Sequence, residues 1–210
     1  MLRRMVAIAM AEVLRPGPMT LEQWANIDEG ELVDGVLVEE EVPTYLHEII
    51  ESWFLYALMT WAKERGGRAL GSEHKLGVAA RRGRKPDVTV YATRPKIGIK
   101  DSLSRVPPFL VVEVISSQAR DVRRDRAEKL DDYARFGVRW YWLVDSKARL
   151  LEILELGADG RYTIALQASA ERVAVPGCEG LTLDLVDLWR EIDEAGAEEG
   201  EEPSAESAES

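Results

Sequence analysis

The sequence predicts one domain of the α/β or α+β class, in which helices flank a mixed central sheet. Segments with a helical apolar period alternate along the chain with short strand-like runs. A length of 210 residues is enough for one domain with a sizeable core. No apolar run reaches the roughly 18 residues that a membrane span needs, and the single cysteine permits no intramolecular disulfide. We therefore expect a cytoplasmic protein without a membrane partner.

Three regions of the chain differ in composition. Residues 1–18 resemble a weak signal sequence, but their apolar stretch of about six residues is shorter than the usual signal core, which predicts a poorly ordered leader. Residues 19–192 contain the predicted elements and form the single domain. Residues 193–210 are acidic and nearly free of large apolar side chains, which predicts a disordered tail. Residues 191–210 hold nine acids, so the net charge of −11 leaves only −2 for the rest of the chain.

The first elements are predicted from capping and turn signals. Thr20 and Gln23 have the spacing of a capping box, which predicts a short helix over 20–27. Asp34 and Gly35 form the turn of a hairpin over 31–42. The remaining predicted elements are, in order, an amphipathic helix over 44–67, strands near 69–79, 86–92 and 108–115, a helix over 121–136, strands over 139–145, 149–156 and 161–167, and a short helix over 184–192.

Two acidic residues interrupt the apolar strands "PDVTVY" and "VVEVIS". These residues are Asp87 and Glu113, and a buried carboxylate is costly unless a cation or hydrogen bonds compensate its charge. Carboxylate oxygens are also the ligands that Mg²⁺ prefers. The strands alone leave two interpretations open: each acid caps a strand or pairs with an arginine, or the two acids share a metal ion.

The helix over 121–136 adds a cation to this region. At about 100° per residue, Lys129 and Tyr133 fall within about 40° of each other, on the side that should face the sheet. An inward lysine must extend to solvent or find a carboxylate, and Asp87 and Glu113 are the nearest candidates. His47 is predicted in the first turn of the long helix, inside its apolar arc. Two interpretations stay open: a structural histidine, or a residue that lines a pocket.

Two basic runs, at 81–85 and 120–126, have two interpretations. Each can be a solvated surface or a contact with a phosphate backbone. For the second interpretation, the candidate nucleic-acid-binding residues are Arg84, Lys85, Arg123 and Arg126.

An ordered series of motifs covers residues 19–190. The motifs are "ELVDGVLV" at 31–38, His47, "KPDVTVY" at 85–91, "PFLVVEVIS" at 108–116 and "DRAEKLDDYARFGVRWYWLVD" at 125–145. They resemble the Uma-two family of restriction-endonuclease-like proteins, which is placed in the PD-(D/E)XK nuclease superfamily. This resemblance implies a restriction-endonuclease-like core, a nucleic-acid substrate, and Mg²⁺ (or Mn²⁺) as cofactor. DNA is the expected substrate, and the sequence leaves RNA open. Such proteins often act as dimers, so a homodimer is compatible with it.

The resemblance also implies roles for site residues. Asp87 and Glu113 match the metal-binding acids, while Glu31, His47 and Tyr133 match positions that support the site. The superfamily pattern expects a lysine two residues after the second acid, where this chain has Ile115. The resemblance implies that Lys129 replaces that lysine, and the helical periodicity independently turns Lys129 inward. The expected function is metal-dependent hydrolysis of phosphodiester bonds by Asp87, Glu113 and Lys129.

Two alternatives stay open at this point. The displaced lysine and the nearly neutral body are compatible with a degenerate nuclease fold that binds nucleic acid or protein without cutting it. The same carboxylates could also serve a hydrolase of small molecules or nucleotides.

Overall fold

The computed structural model describes residues 17–39, 42–115 and 122–198, and for residues 122–126 it describes the backbone alone. In this part of the chain no helix is both long and apolar enough to cross a membrane. Four helices are described: α1 (Leu21–Trp24), α2 (Tyr45–Glu64), α3 (Val122–Phe136) and α4 (Leu185–Glu198). The strands are β1 (Glu31–Val33), β2 (Val36–Val38), β3 (Arg68–Leu70), β4 (Leu76–Ala79), β5 (Arg82–Arg84), β6 (Val88–Tyr91), β7 (Leu110–Ile115), β8 (Trp140–Asp145), β9 (Leu150–Leu156), β10 (Tyr162–Ala168), β11 (Arg172–Ala174) and β12 (Thr182–Asp184).

The central sheet has six strands in the order β10-β9-β8-β7-β6-β3. β7 and β8 are parallel, and every other neighbouring pair in this sheet is antiparallel. Parallel neighbours need a crossover connection, and α3 provides it between β7 and β8. The predicted mixed sheet flanked by helices is therefore confirmed.

Helices cover both faces of this sheet. Val112 and Val114 of β7 pack in the same cluster as residues of α2 and α4. Val111 packs on the opposite face in a cluster with Tyr133 of α3. This alternation follows from the two-residue period of a strand. It also places Glu113 on the face of the sheet that α3 covers.

A second sheet, in the order β2-β1-β5-β4, lies in the N-terminal half. The predicted hairpin is present as β1 and β2, with Asp34 and Gly35 at φ 52° and 83°. Both values are left-handed, as the favoured two-residue hairpin turn requires. The predicted capping box of Thr20 is also formed. β5 was not predicted as a strand, because its residues were assigned to a basic run.

The C-terminal part of the domain differs from the prediction in two respects. Helix α4 continues to Glu198 rather than ending at residue 192, so the predicted start of the disordered tail at residue 193 was wrong. Asp193 and Glu194 explain the extension, since they pair with Arg149 and Arg190. The short pair β11 and β12 was not predicted. Leader residues 1–16 and tail residues 199–210 lie outside the described residues.

Candidate active site

The predicted site residues come from five elements that meet around the beginning of β6. Glu31 opens β1, His47 lies in the first turn of α2, and Asp87 directly precedes β6. Glu113 lies on β7, while Lys129 and Tyr133 lie one turn apart on α3. Hydrogen bonds and ion pairs join Glu31, Glu113, Lys129 and Tyr133. His47 contacts Asp87, and Asp87 bonds the backbone of Val114, the residue next to Glu113.

Asp87 links the two strands to the long helix. Its Oδ2 accepts a hydrogen bond from the backbone N–H of Val114, at 2.6 Å, directly beside Glu113. Its Oδ1 lies 3.2 Å from Nε2 of His47. Thr44 caps α2 by accepting a hydrogen bond from the backbone N–H of His47, which fixes that residue in the first turn. The hydrogen bond with Asp87 raises the pKa of His47.

Glu113 is held from α3 by two donors. The ammonium of Lys129 lies 2.8 Å from Oε2 of Glu113, and the hydroxyl of Tyr133 donates to Oε1 at 2.6 Å. These contacts confirm the inward orientation that helical periodicity predicts for both α3 residues. A carboxylate oxygen has two lone pairs, so each oxygen of Glu113 keeps one for a further partner.

Burial dominates the electrostatics of Glu113. It raises the pKa of Glu113 to about 7, against the opposing charge of Lys129, and the negative charge of Asp87 adds to the rise. The charges on Asp87 and Glu113 are therefore unfavourable to each other. A cation shared by the two would relieve this repulsion.

Glu31 is paired with cations on two sides. Its Oε2 lies 2.6 Å from Nη1 of Arg84, and its Oε1 lies 3.7 Å from the ammonium of Lys129. Burial raises the pKa of Glu31, but the charges of Lys129 and Arg84 outweigh burial and leave that pKa below its usual range. Lys129 is consequently held between two carboxylates, those of Glu31 and Glu113.

Two predicted nucleic-acid contacts are wrong. Arg84 is 1 % exposed and pairs with Glu31 and Asp132, so it neutralises buried acids instead of contacting phosphate. Lys85 is 7 % exposed, and its ammonium lies 3.4 Å from Glu73. The pairing of β5 with β1 explains why both residues are buried, because it places this end of the basic run in the interior. The side chains of the other two candidates, Arg123 and Arg126, lie outside the described residues.

Glu51 is a site residue that the sequence prediction did not select. It lies one turn after His47 on α2, and it is only 8 % exposed. Three possible ligand atoms lie within 4.8 Å of one another, one each from His47, Glu51 and Asp87. Burial and the charge of Asp87 raise the pKa of Glu51. The available signal was the four-residue spacing from His47, which puts both side chains on one helix face.

The donor set fits a divalent cation. Asp87, Glu51 and Glu113 offer carboxylate oxygens, and His47 offers an imidazole nitrogen. Burial and the charge of Asp87 raise the pKa values of both Glu51 and Glu113, and a metal ion would compensate charges that the interior solvates poorly.

Residues 20–186 match the model of the Uma2 family, the Uma-two family named above, whose description is "Putative restriction endonuclease". A crystal structure from Anabaena variabilis has a similar fold, and it is titled as that of "a putative nuclease belonging to DUF820". The two chains share 18% sequence identity at a TM-score of 0.66, over 82% of this chain and 98% of the other. Among curated proteins none matches this chain.

Proposed function

Since the chain belongs to the Uma2 family, we propose that it is a metal-dependent nuclease that hydrolyses phosphodiester bonds in DNA, with Mg²⁺ or Mn²⁺ as cofactor. The observation that carries this proposal is the buried cluster in which Asp87 lies beside Glu113 and Glu113 is bonded by Lys129 at 2.8 Å. Two acids and one lysine are the groups that metal-assisted phosphoryl chemistry needs.

Asp87 and Glu113 would hold the ion. Each carboxylate is already oriented, Asp87 by the backbone of Val114 and Glu113 by Tyr133 and Lys129. A ligand fixed in this way loses little conformational freedom on binding. When bound there, a divalent ion would polarise the scissile phosphate and lower the pKa of a bound water.

Lys129 would orient the attacking water and offset the charge that develops on the phosphate. Its ammonium lies 2.8 Å from Glu113 and 3.7 Å from Glu31, so both carboxylates help to fix its position. Glu31 is itself fixed by Arg84 and by the backbone N–H of Lys85, at 3.0 Å. Glu31 and Arg84 therefore act as positioning residues for the lysine, and Tyr133 does the same for Glu113.

Supercoiled plasmid DNA tests this function directly. With Mg²⁺ or Mn²⁺, the wild-type protein should convert the plasmid to the open-circular form, and a chelator should stop the reaction. A single-stranded RNA of similar length serves as the comparison substrate. A metal-independent gel shift without cleavage would instead support a binding module built on the same fold, and hydrolysis of free nucleotides alone would support a small-molecule hydrolase.

A further inference from the structure

His47, Glu51 and Asp87 form a ligand group that differs from the pair of acids assigned above. The Nε2 of His47 lies 3.2 Å from Oδ1 of Asp87. Two ligand atoms bound to one ion at about 2.0–2.2 Å lie roughly 3.0–3.5 Å apart, depending on the coordination geometry. This separation therefore already matches two ligands of one metal. The third atom, an oxygen of Glu51, lies within 4.8 Å of both. A small movement of the Glu51 side chain would shorten these distances to those of a bound metal ion.

An independent feature points to the same position. A cavity of about 350 Å³ lies against Glu51 and is otherwise lined by Leu70, Gly71, Ser72, Glu73 and His74. Of the three proposed ligands, Glu51 lines this space, so the space gives a solvated ion access to the Glu51 carboxylate.

The loop beside the cavity is shaped around the Glu51 carboxylate. The backbone N–H of Ser72 donates to Oε1 of Glu51 at 3.2 Å. A Cβ added to Gly71 would lie 3.1 Å from the same oxygen, so a glycine lets the loop approach this closely. Glu31 and Glu113 are paired with arginine and lysine, whereas the Glu51 carboxylate is oriented by a backbone amide.

We propose that His47, Glu51 and Asp87 bind a first-row transition-metal ion in preference to Mg²⁺, at a second position that shares Asp87 with the site of Asp87 and Glu113. Imidazole nitrogen suits transition metals, whereas Mg²⁺ prefers an all-oxygen shell. This inference rests on the proposed function in that Asp87 is common to both positions. It assigns Glu51 as a ligand and makes Mn²⁺, rather than Mg²⁺, the ion that fits the site better.

The test measures binding of MnCl₂ and MgCl₂ to the full-length protein by calorimetry, without substrate. His47→Gln and Glu51→Gln should each weaken Mn²⁺ binding about tenfold or more, and should change Mg²⁺ binding much less. Glu64→Gln is the matched control, since Glu64 is exposed and lies at the opposite end of the same helix. Thermal unfolding of each variant without metal shows whether it is folded.

A spectroscopic measurement identifies the histidine ligand. Pulsed electron paramagnetic resonance of bound Mn²⁺ should detect coupling to an imidazole nitrogen in the wild type and in Glu64→Gln, and no such coupling in His47→Gln. Wild-type protein that binds Mn²⁺ without nitrogen coupling, or variants that bind Mn²⁺ like the wild type, would overturn the inference. These readouts do not depend on cleavage, so they separate its failure from failure of the nuclease assignment.

Discussion

Replacing Lys129 by methionine tests the charge network at the centre of the site. The change keeps the aliphatic length of the side chain but removes an ammonium that lies 2.8 Å from Glu113 and 3.7 Å from Glu31. Removing one partner of a buried ion pair costs about 3–5 kcal/mol, because the other charge is left uncompensated. Glu31 loses the charge of Lys129 but keeps Arg84, so the larger loss falls on Glu113. We expect about 3 kcal/mol at pH 8, the lower end of that range, because Glu113 can take up a proton.

The size of this loss should depend on pH. The pKa of Glu113 is already raised to about 7 in the folded protein, and losing Lys129 should raise it further. An acid whose folded pKa is raised contributes stability that is complete below its unfolded pKa and is lost as the pH rises through the folded pKa. Near pH 5, Glu113 is protonated with or without Lys129. The difference in stability between variant and wild type should therefore be smaller there, where it comes from Glu31, and grow above pH 7.

Urea unfolding at about pH 5 and about pH 8 measures this difference. Lys63→Met is the control, since Lys63 is exposed at the end of α2. Adding Glu113→Gln to Lys129→Met should recover most of the stability lost at pH 8, because the uncompensated acid is then gone. Equal stability of Lys129→Met and wild type at pH 8, with no coupling to Glu113, would refute the ion pair. Lys129→Met should also lose metal-dependent cleavage, and wild-type cleavage would make the lysine structural.

Three further changes have definite expected outcomes. Tyr133→Phe removes one donor from Glu113 and should lower the free energy of unfolding by about 1–2 kcal/mol in urea; no loss would mean that this hydrogen bond is absent. Arg84→Met should cost about 3 kcal/mol in the same assay because two buried acids each lose one of their cationic partners, while the exposed Arg81→Met should cost little, and equal effects would contradict the buried network. Truncation after Glu198 should leave the Tm and any cleavage unchanged, and a large drop in Tm would show that the acidic tail supports the fold.

The residues around Glu113 were predictable because local periodicities determine them. A strand alternates its faces, which turns Glu113 towards α3, and a helix repeats every 3.6 residues, which turns Lys129 and Tyr133 inward together. The connection between β7 and α3 is short, so α3 packs against the sheet that contains β7. These rules depend on a few neighbouring residues, so they hold in the folded protein as they do in the sequence.

Arg84 shows where such reasoning stops. Its partners, Glu31 and Asp132, lie 53 and 48 residues away in the sequence. The pairing of β5 with β1 brings Glu31 to Arg84, and Asp132 comes from α3. A three-residue strand inside a basic run gives no periodic signal of its own. Composition alone therefore assigned this arginine to the surface.

Glu51 was missed for another reason. It lies at the edge of the apolar arc of α2, where a carboxylate can face either solvent or protein. The loop at Gly71 and Ser72 decides between them by covering Glu51 and donating a hydrogen bond to it. The four-residue spacing from His47 was visible in the sequence, but the loop that buries the second residue was not.

The most direct test of the central claim compares plasmid nicking by Asp87→Asn and by Asp131→Asn with that of the wild type, under the same Mn²⁺ concentration. Asp131 is an exposed acid on α3 that pairs with Arg135, so its loss should leave the rate unchanged. Asp87→Asn removes a charge from the proposed metal site and should slow nicking by about a hundredfold or more, since a correctly held ion supplies several kcal/mol of transition-state stabilisation. Nicking by Asp87→Asn at the wild-type rate would contradict the account.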